Sequence, residues 1–109
     1  MSNVKLILCT FPNTEQARQI GTVLVEKQLA ACVNLVPAVE SIYRWQGKVE
    51  TASEVLAIFK TRADVFPNFE RALTELHPYE VPEIIAIEPA HVAAPYLAWL
   101  LSSVALPGQ

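Results

Sequence analysis

Residues 4–11, Val-Lys-Leu-Ile-Leu-Cys-Thr-Phe, are apolar on both faces apart from Lys5 and Thr10. That is the pattern of a strand covered on two sides, and Pro12 ends it. Ala17, Ile20, Gly21 and Leu24 then recur at helical spacing, which predicts a helix over residues 14–29. Asn13 is its expected cap, with Gln16 three residues on as in a capping box. Arg18, Glu26 and Lys27 can face water. Gly21 on the buried stripe reads either as a close approach to the sheet or as an ordinary small residue.

Residues 32–45 and 48–61 read as two long strands joined by Gln46-Gly47. Each is roughly twice the usual five to six residues. Pro37 has no donor for a ladder, so it marks an edge or a bulge. A two-residue turn places Trp45 opposite Lys48 and Tyr43 opposite Glu50. In the second arm Glu54, Leu56, Ile58 and Lys60 share one face, and Val55, Ala57 and Phe59 the other. Both faces are largely apolar and call for cover. Glu54 and Lys60 lie about 20 Å apart at strand rise, too far to pair within one strand.

A second helix is expected over residues 64–76, capped by Asp64, with Pro67 in its first turn and Phe66, Phe69, Leu73 and Leu76 as its apolar stripe. The stretch His77-Pro78-Tyr79-Glu80-Val81-Pro82-Glu83-Ile84 follows. Pro78 pushes His77 out of the helical region, and Pro82 sits where a strand tolerates it. The stretch therefore reads as a stiff connector into a fourth strand at residues 83–88. A third helix starts around residues 92–95 and carries Tyr96, Leu97, Trp99, Leu100 and Leu101. The tail from Ala105 to Gln109 is expected to be loose.

The order β-α-β-β-α-β-α predicts an α+β fold. Its first six elements form a ferredoxin-like split βαβ sandwich with a long hairpin, and a C-terminal helix is added. With 109 residues, one domain over residues 1–109 is expected. Hydrophobic residues make up 52% of the chain and mean hydropathy is +0.30, high for a small domain. No apolar run reaches the length of a membrane span, and the N-terminus lacks a signal-peptide layout. The apolar excess points instead to self-association. A net charge of -3 with no basic cluster argues against nucleic acid as a partner. The two cysteines, Cys9 and Cys32, lie in apolar segments. They suit buried thiols in a reducing compartment, so a cytoplasmic location is expected.

Several of these stretches together resemble the CutA divalent-cation-tolerance family. They are Leu8-Cys9-Thr10, the run from Leu24 through Ala30-Ala31-Cys32-Val33-Asn34, Ser41-Ile42-Tyr43-Arg44-Trp45-Gln46-Gly47-Lys48, and Glu54-Val55-Leu56 through Lys60-Thr61. The connector from His77 to Ile84 is the most diagnostic. The likeness covers about residues 4–101, in order, and a joint match is far more specific than one short motif. It implies a homotrimer packed like the PII signalling proteins, which bind small effectors between subunits. It also implies a role in metal tolerance, with copper or another divalent metal ion bound.

That resemblance carries a metal role to Cys9 and His77, since a thiolate and an imidazole suit copper or zinc. Two ligands are too few for a tight site, so Glu80, Glu83 or a neighbouring subunit would complete it. Relatives can offer a second histidine just before this one, where this chain has Leu76. The plainer readings are a buried small hydrophobe for Cys9 and a helix-end group bonding carbonyls for His77. Cys32 reads as core and His91 as an exposed or capping group. A second constellation is Trp45, Glu54, Lys60 and Tyr79. It reads as an inter-subunit pocket for a small anion or metabolite, or as a polar network that fixes trimer register.

An enzyme is not expected. The chain has only Gly21, Gly47 and Gly108, no phosphate-cradling loop and no Ser-His-Asp signature. The phosphate loop of the acylphosphatases and the aromatic-basic strand motif of RNA-recognition modules are both missing. A small-molecule sensor and a stable trimeric scaffold remain the alternatives to a metal-binding protein.

Overall fold

The computed structural model describes residues 3–106. Its elements are β1 (Val4–Phe11), α1 (Thr14–Glu26), β2 (Cys32–Trp45), β3 (Lys48–Arg62), α2 (Phe66–Leu76), β4 (Ile85–Ile87) and α3 (Ala94–Ser102). The strands form one antiparallel sheet in the order β2-β3-β1-β4, the order of a split βαβ sandwich. Of the tail expected to be loose, Ala105 donates its N–H to Gln28 O at 2.9 Å, and residues 107–109 lie outside the described residues.

Alternation along the strands sorts the sheet into two faces. Ile7, Cys9 and Phe11 of β1 join Val55, Ala57 and Phe59 of β3 beneath the first two helices. There they meet Ala17, Ile20 and Leu24 of α1 and Phe69 and Leu73 of α2. Phe59 packs edge-on against Phe69, with ring centroids 5.1 Å apart. Gly21 brings α1 close to the sheet: a Cβ there would stand 3.1 Å from Val33 Cγ1. On the other face, α3 seals only one end, packing Leu100 with Val4, Leu6 and Val65. Val36, Ile85 and Ile87 stay exposed beyond it, as do Tyr96 and Trp99 of α3 itself.

The hairpin follows its predicted register, with Trp45 opposite Lys48 and Tyr43 opposite Glu50. Gln46 and Gly47 both take positive φ, 50° and 81°, as a type I′ hairpin turn requires. The ladder slips between Val36 and Val39, so Pro37 does mark a bulge, and Ala38 carries the left-handed backbone at φ 61°. β1 pairs with β3 only over residues 55–62. Residues 39–45 and 48–54 therefore form a two-stranded arm, and the molecule measures 43 × 27 × 22 Å.

Four expectations need correction. Asp64 does not cap α2. Val65 holds the cap position without a side-chain bond, and the Asp64 carboxylate instead accepts from the Arg62 guanidinium at 3.0 Å. α1 ends at Glu26 rather than near residue 29, because Gln28 turns to φ 60° and Leu29 N–H closes on Leu24 O. β4 is only three residues long, pairing Ile85 with Leu8 and Ile87 with Leu6. Leu76, expected on the buried stripe, is 40% exposed at the end of α2.

Candidate functional site: an acidic cleft at the root of the hairpin

The connector after α2 folds back over the end of β1. Pro78 sets its start: His77 takes ψ 137° and its N–H closes the helix on Leu73 O. The imidazole then turns inward and stacks on Phe11, with centroids 4.6 Å apart. Nε2 lies 2.8 Å from Thr10 O, so it donates, and Nδ1 accepts from Tyr79 N–H at 3.1 Å. These bonds define a neutral tautomer with both nitrogens engaged. Burial lowers the His77 pKa below its ordinary 6.5, against the Thr10 carbonyl and Glu54, which favour the charged form.

Tyr79 is thereby aimed at the hairpin. Its hydroxyl donates to Glu54 Oε2 at 2.5 Å. Burial first, and then this carboxylate, push its pKa up, so Tyr79 remains a donor. Between connector and arm opens a cleft of about 650 Å³. Glu54, Glu80 and Glu83 line it together with Tyr43, Trp45 and Tyr79, and no Lys, Arg or His does so.

The structure divides the sequence-derived candidates. Glu80 and Glu83, named for metal, and Trp45, Glu54 and Tyr79, named for a small ligand, meet in this one cleft. Lys60 does not line it, and bonds Asn34 near the far end of the β2–β3 ladder. Cys9 sits beneath the helices, fully buried. Burial, then the Glu83 and Glu54 carboxylates, push its thiol up to about 12, which keeps it protonated. Among the described residues, no three or more His, Cys, Asp or Glu side chains are grouped to hold a metal ion. Cys32 is a free thiol 3.5 Å from the Tyr96 hydroxyl, and His91 is exposed. Tyr43 was missed as a site residue. Its alternation with Trp45 on one face of the arm was the available signal.

The sequence model of the CutA1 divalent ion tolerance protein matches residues 5–103. The chain belongs to the CutA1 divalent ion tolerance family. A divalent-cation tolerance protein CutA of Thermus thermophilus is 48% identical over 96 residues, covering 88% of this chain and 93% of that protein. The crystal structure of CutA from Xylella fastidiosa superposes with a TM-score of 0.92 at 40% identity, over 95% of this chain and 100% of that one. A CutA of Archaeoglobus fulgidus, described as a periplasmic divalent cation tolerance protein, superposes at 0.90 with 36% identity, over 94% and 99%. Mammalian CutA proteins are longer, and this chain spans 55% of the mouse sequence. These two solved structures share the fold over 94% or more of this chain.

Proposed function

We propose that this CutA1-family chain assembles as a PII-like homotrimer that binds divalent cations in the response to metal ions. The acidic cleft is the part of the site that each subunit contributes. The observation that carries this reading is the convergence of Glu54, Glu80 and Glu83 on one cleft with no cationic side chain in its lining. Carboxylates bind divalent ions without first losing a proton at neutral pH, and they favour hard cations. Cys9 would have to ionise against burial and two carboxylates. His77 would have to surrender one of its two bonds to offer a lone pair. A copper site on Cys9 and His77 therefore demands a local rearrangement, whereas Glu54, Glu80 and Glu83 already line the cleft. One chain groups no three such donors, so a neighbouring subunit completes the set.

Assembly is supported by the free arm and the bare sheet face. A two-stranded ribbon is marginal in water on its own, and exposed Val36, Ile85, Ile87 and Trp99 add uncovered apolar surface. Among the described residues no helix is long and apolar enough to cross a membrane. The two free thiols favour the cytoplasm for this chain. We read it as a binding protein, with no reaction assigned.

Native mass spectrometry with added manganese or copper tests this reading. The expected result is a trimer that gains a fixed number of ions, a number lost when Glu54, Glu80 and Glu83 are all changed to Gln. A monomer, or unchanged stoichiometry in the triple variant, overturns it. Loss of copper in Cys9→Ala with manganese retained would move the copper site to the thiol.

A further inference from the structure

Within one subunit no three carboxylates of the cleft are grouped around one point, and three aromatic rings beside them go unused by metal chemistry. We propose that the cleft takes an organic dication, an aliphatic chain bearing an ammonium group at each end. The inference rests on the reading of this cleft as a cation site and names a further class of ligand for it.

Separated negative charges around a cavity fit separated positive charges better than a point charge. A metal ion needs its donors at one point, which within one subunit no three acidic, His or Cys groups among the described residues supply, whereas a dication can meet the carboxylates where they stand. The cleft of about 650 Å³ lies within the range for small molecules. Its walls suit the two parts of such a ligand. Trp45 and Tyr43 line it and supply aromatic rings for an ammonium head, and Ile42 and Val81 offer apolar surface to methylenes. Glu54 is positioned for its task, since one oxygen is fixed by the Tyr79 hydroxyl at 2.5 Å. Lys48 and Lys60, which would repel a cation and attract an anion, both lie outside the lining. The same charge pattern argues against the anionic effector that a lysine in the cleft would have implied.

The test uses the full chain in a Trp99→Phe background, so that Trp45 is the sole tryptophan. 1,4-Diaminobutane is titrated at fixed ionic strength while Trp45 fluorescence is followed, with 1-aminobutane and 1,4-butanediol as controls. The expected result is a saturable change with the diamine, weaker with the monoamine and absent with the diol. Glu54→Gln and Glu80→Gln should each weaken binding by about tenfold, the size of a lost, partly desolvated charge contact. Trp45→Leu, read by calorimetry, should weaken it comparably. Diol binding as tight as the diamine's, or variants that bind the diamine unchanged, overturns the proposal. Saturable manganese uptake without diamine binding overturns it too, while leaving the divalent-cation reading standing. Failure of both ligands removes the cleft as a cation site altogether.

Discussion

His77 shows how much one side chain can fix. It ends α2, stacks on Phe11 and uses both ring nitrogens to tie the connector to β1. Because burial lowers its pKa below 6.5, the unfolded chain takes up a proton that the folded chain resists. The stability from neutral His77 is therefore complete above about pH 6.5. It is lost as pH falls from there towards the lower folded value. Urea denaturation between pH 7.5 and 5 should show that slope, and His77→Phe should flatten it while lowering stability at pH 7.5. An equal slope in the variant would assign the effect to other groups. Tyr79→Phe removes the donor to Glu54 and should cost about 1 kcal/mol, a modest value for a half-buried, charge-assisted bond. Urea midpoints measure it, and no change would mean that His77 alone holds the connector. The distant partners could not be read from local pattern. Thr10 O is 67 residues from His77, and Glu54 is 25 from Tyr79.

Elements fixed by alternation and turn chemistry were legible in the sequence. The β2–β3 register follows from strict alternation and a two-residue turn, and Pro37 announced the bulge. Boundaries set by competition were not. Asp64 has the chemistry of a cap, but Arg62 two residues earlier takes its carboxylate. The cleft was legible in part. Tyr79, Glu80 and Glu83 share one stiff connector, and Trp45 and Glu54 share one face of the arm. The exclusion of Lys60 follows from the same strand rise that separates it from Glu54. The turn also carries a prediction. Gln46 holds φ 50° before Gly47 at 81°, where Asn is much better suited. Gln46→Asn should raise stability by a few tenths of a kcal/mol, the penalty of left-handed backbone being partly relieved. Thermal unfolding of the two proteins at equal concentration checks the sign, and a lower midpoint would show that the Gln46 side chain has a partner in the assembly.

The whole molecule is uneven in its cover, and that unevenness has a mechanical consequence. The helix side of the sheet is dry from Ile7 to Phe69. The opposite side is closed only where α3 lies across Val4 and Leu6, and β4 presents Ile85 and Ile87 at 50% and 44% exposure. β4 is also an edge, three residues long, with one side of its ladder unpaired by any described strand. An edge so short gains little from its own pairing and depends on whatever covers its face. If copies of this chain supply the cover, charge at these positions must act on assembly before it acts on the fold of one subunit. Ile85→Lys with Ile87→Lys removes no contact from the buried core, so a lone subunit should tolerate both. In a trimer the same changes bury two charges per interface without partners, at a cost of several kcal/mol each. Sedimentation should therefore show the parent as a trimer and the variant dissociating at micromolar concentration. The parent's unfolding midpoint should rise with concentration, and the variant's should lose that dependence as assembly and folding uncouple. A variant that keeps the parent's mass would place the interface elsewhere, and the free arm, with Ile42 and Val49 exposed at 68% and 65%, would then be the surface that joins the subunits.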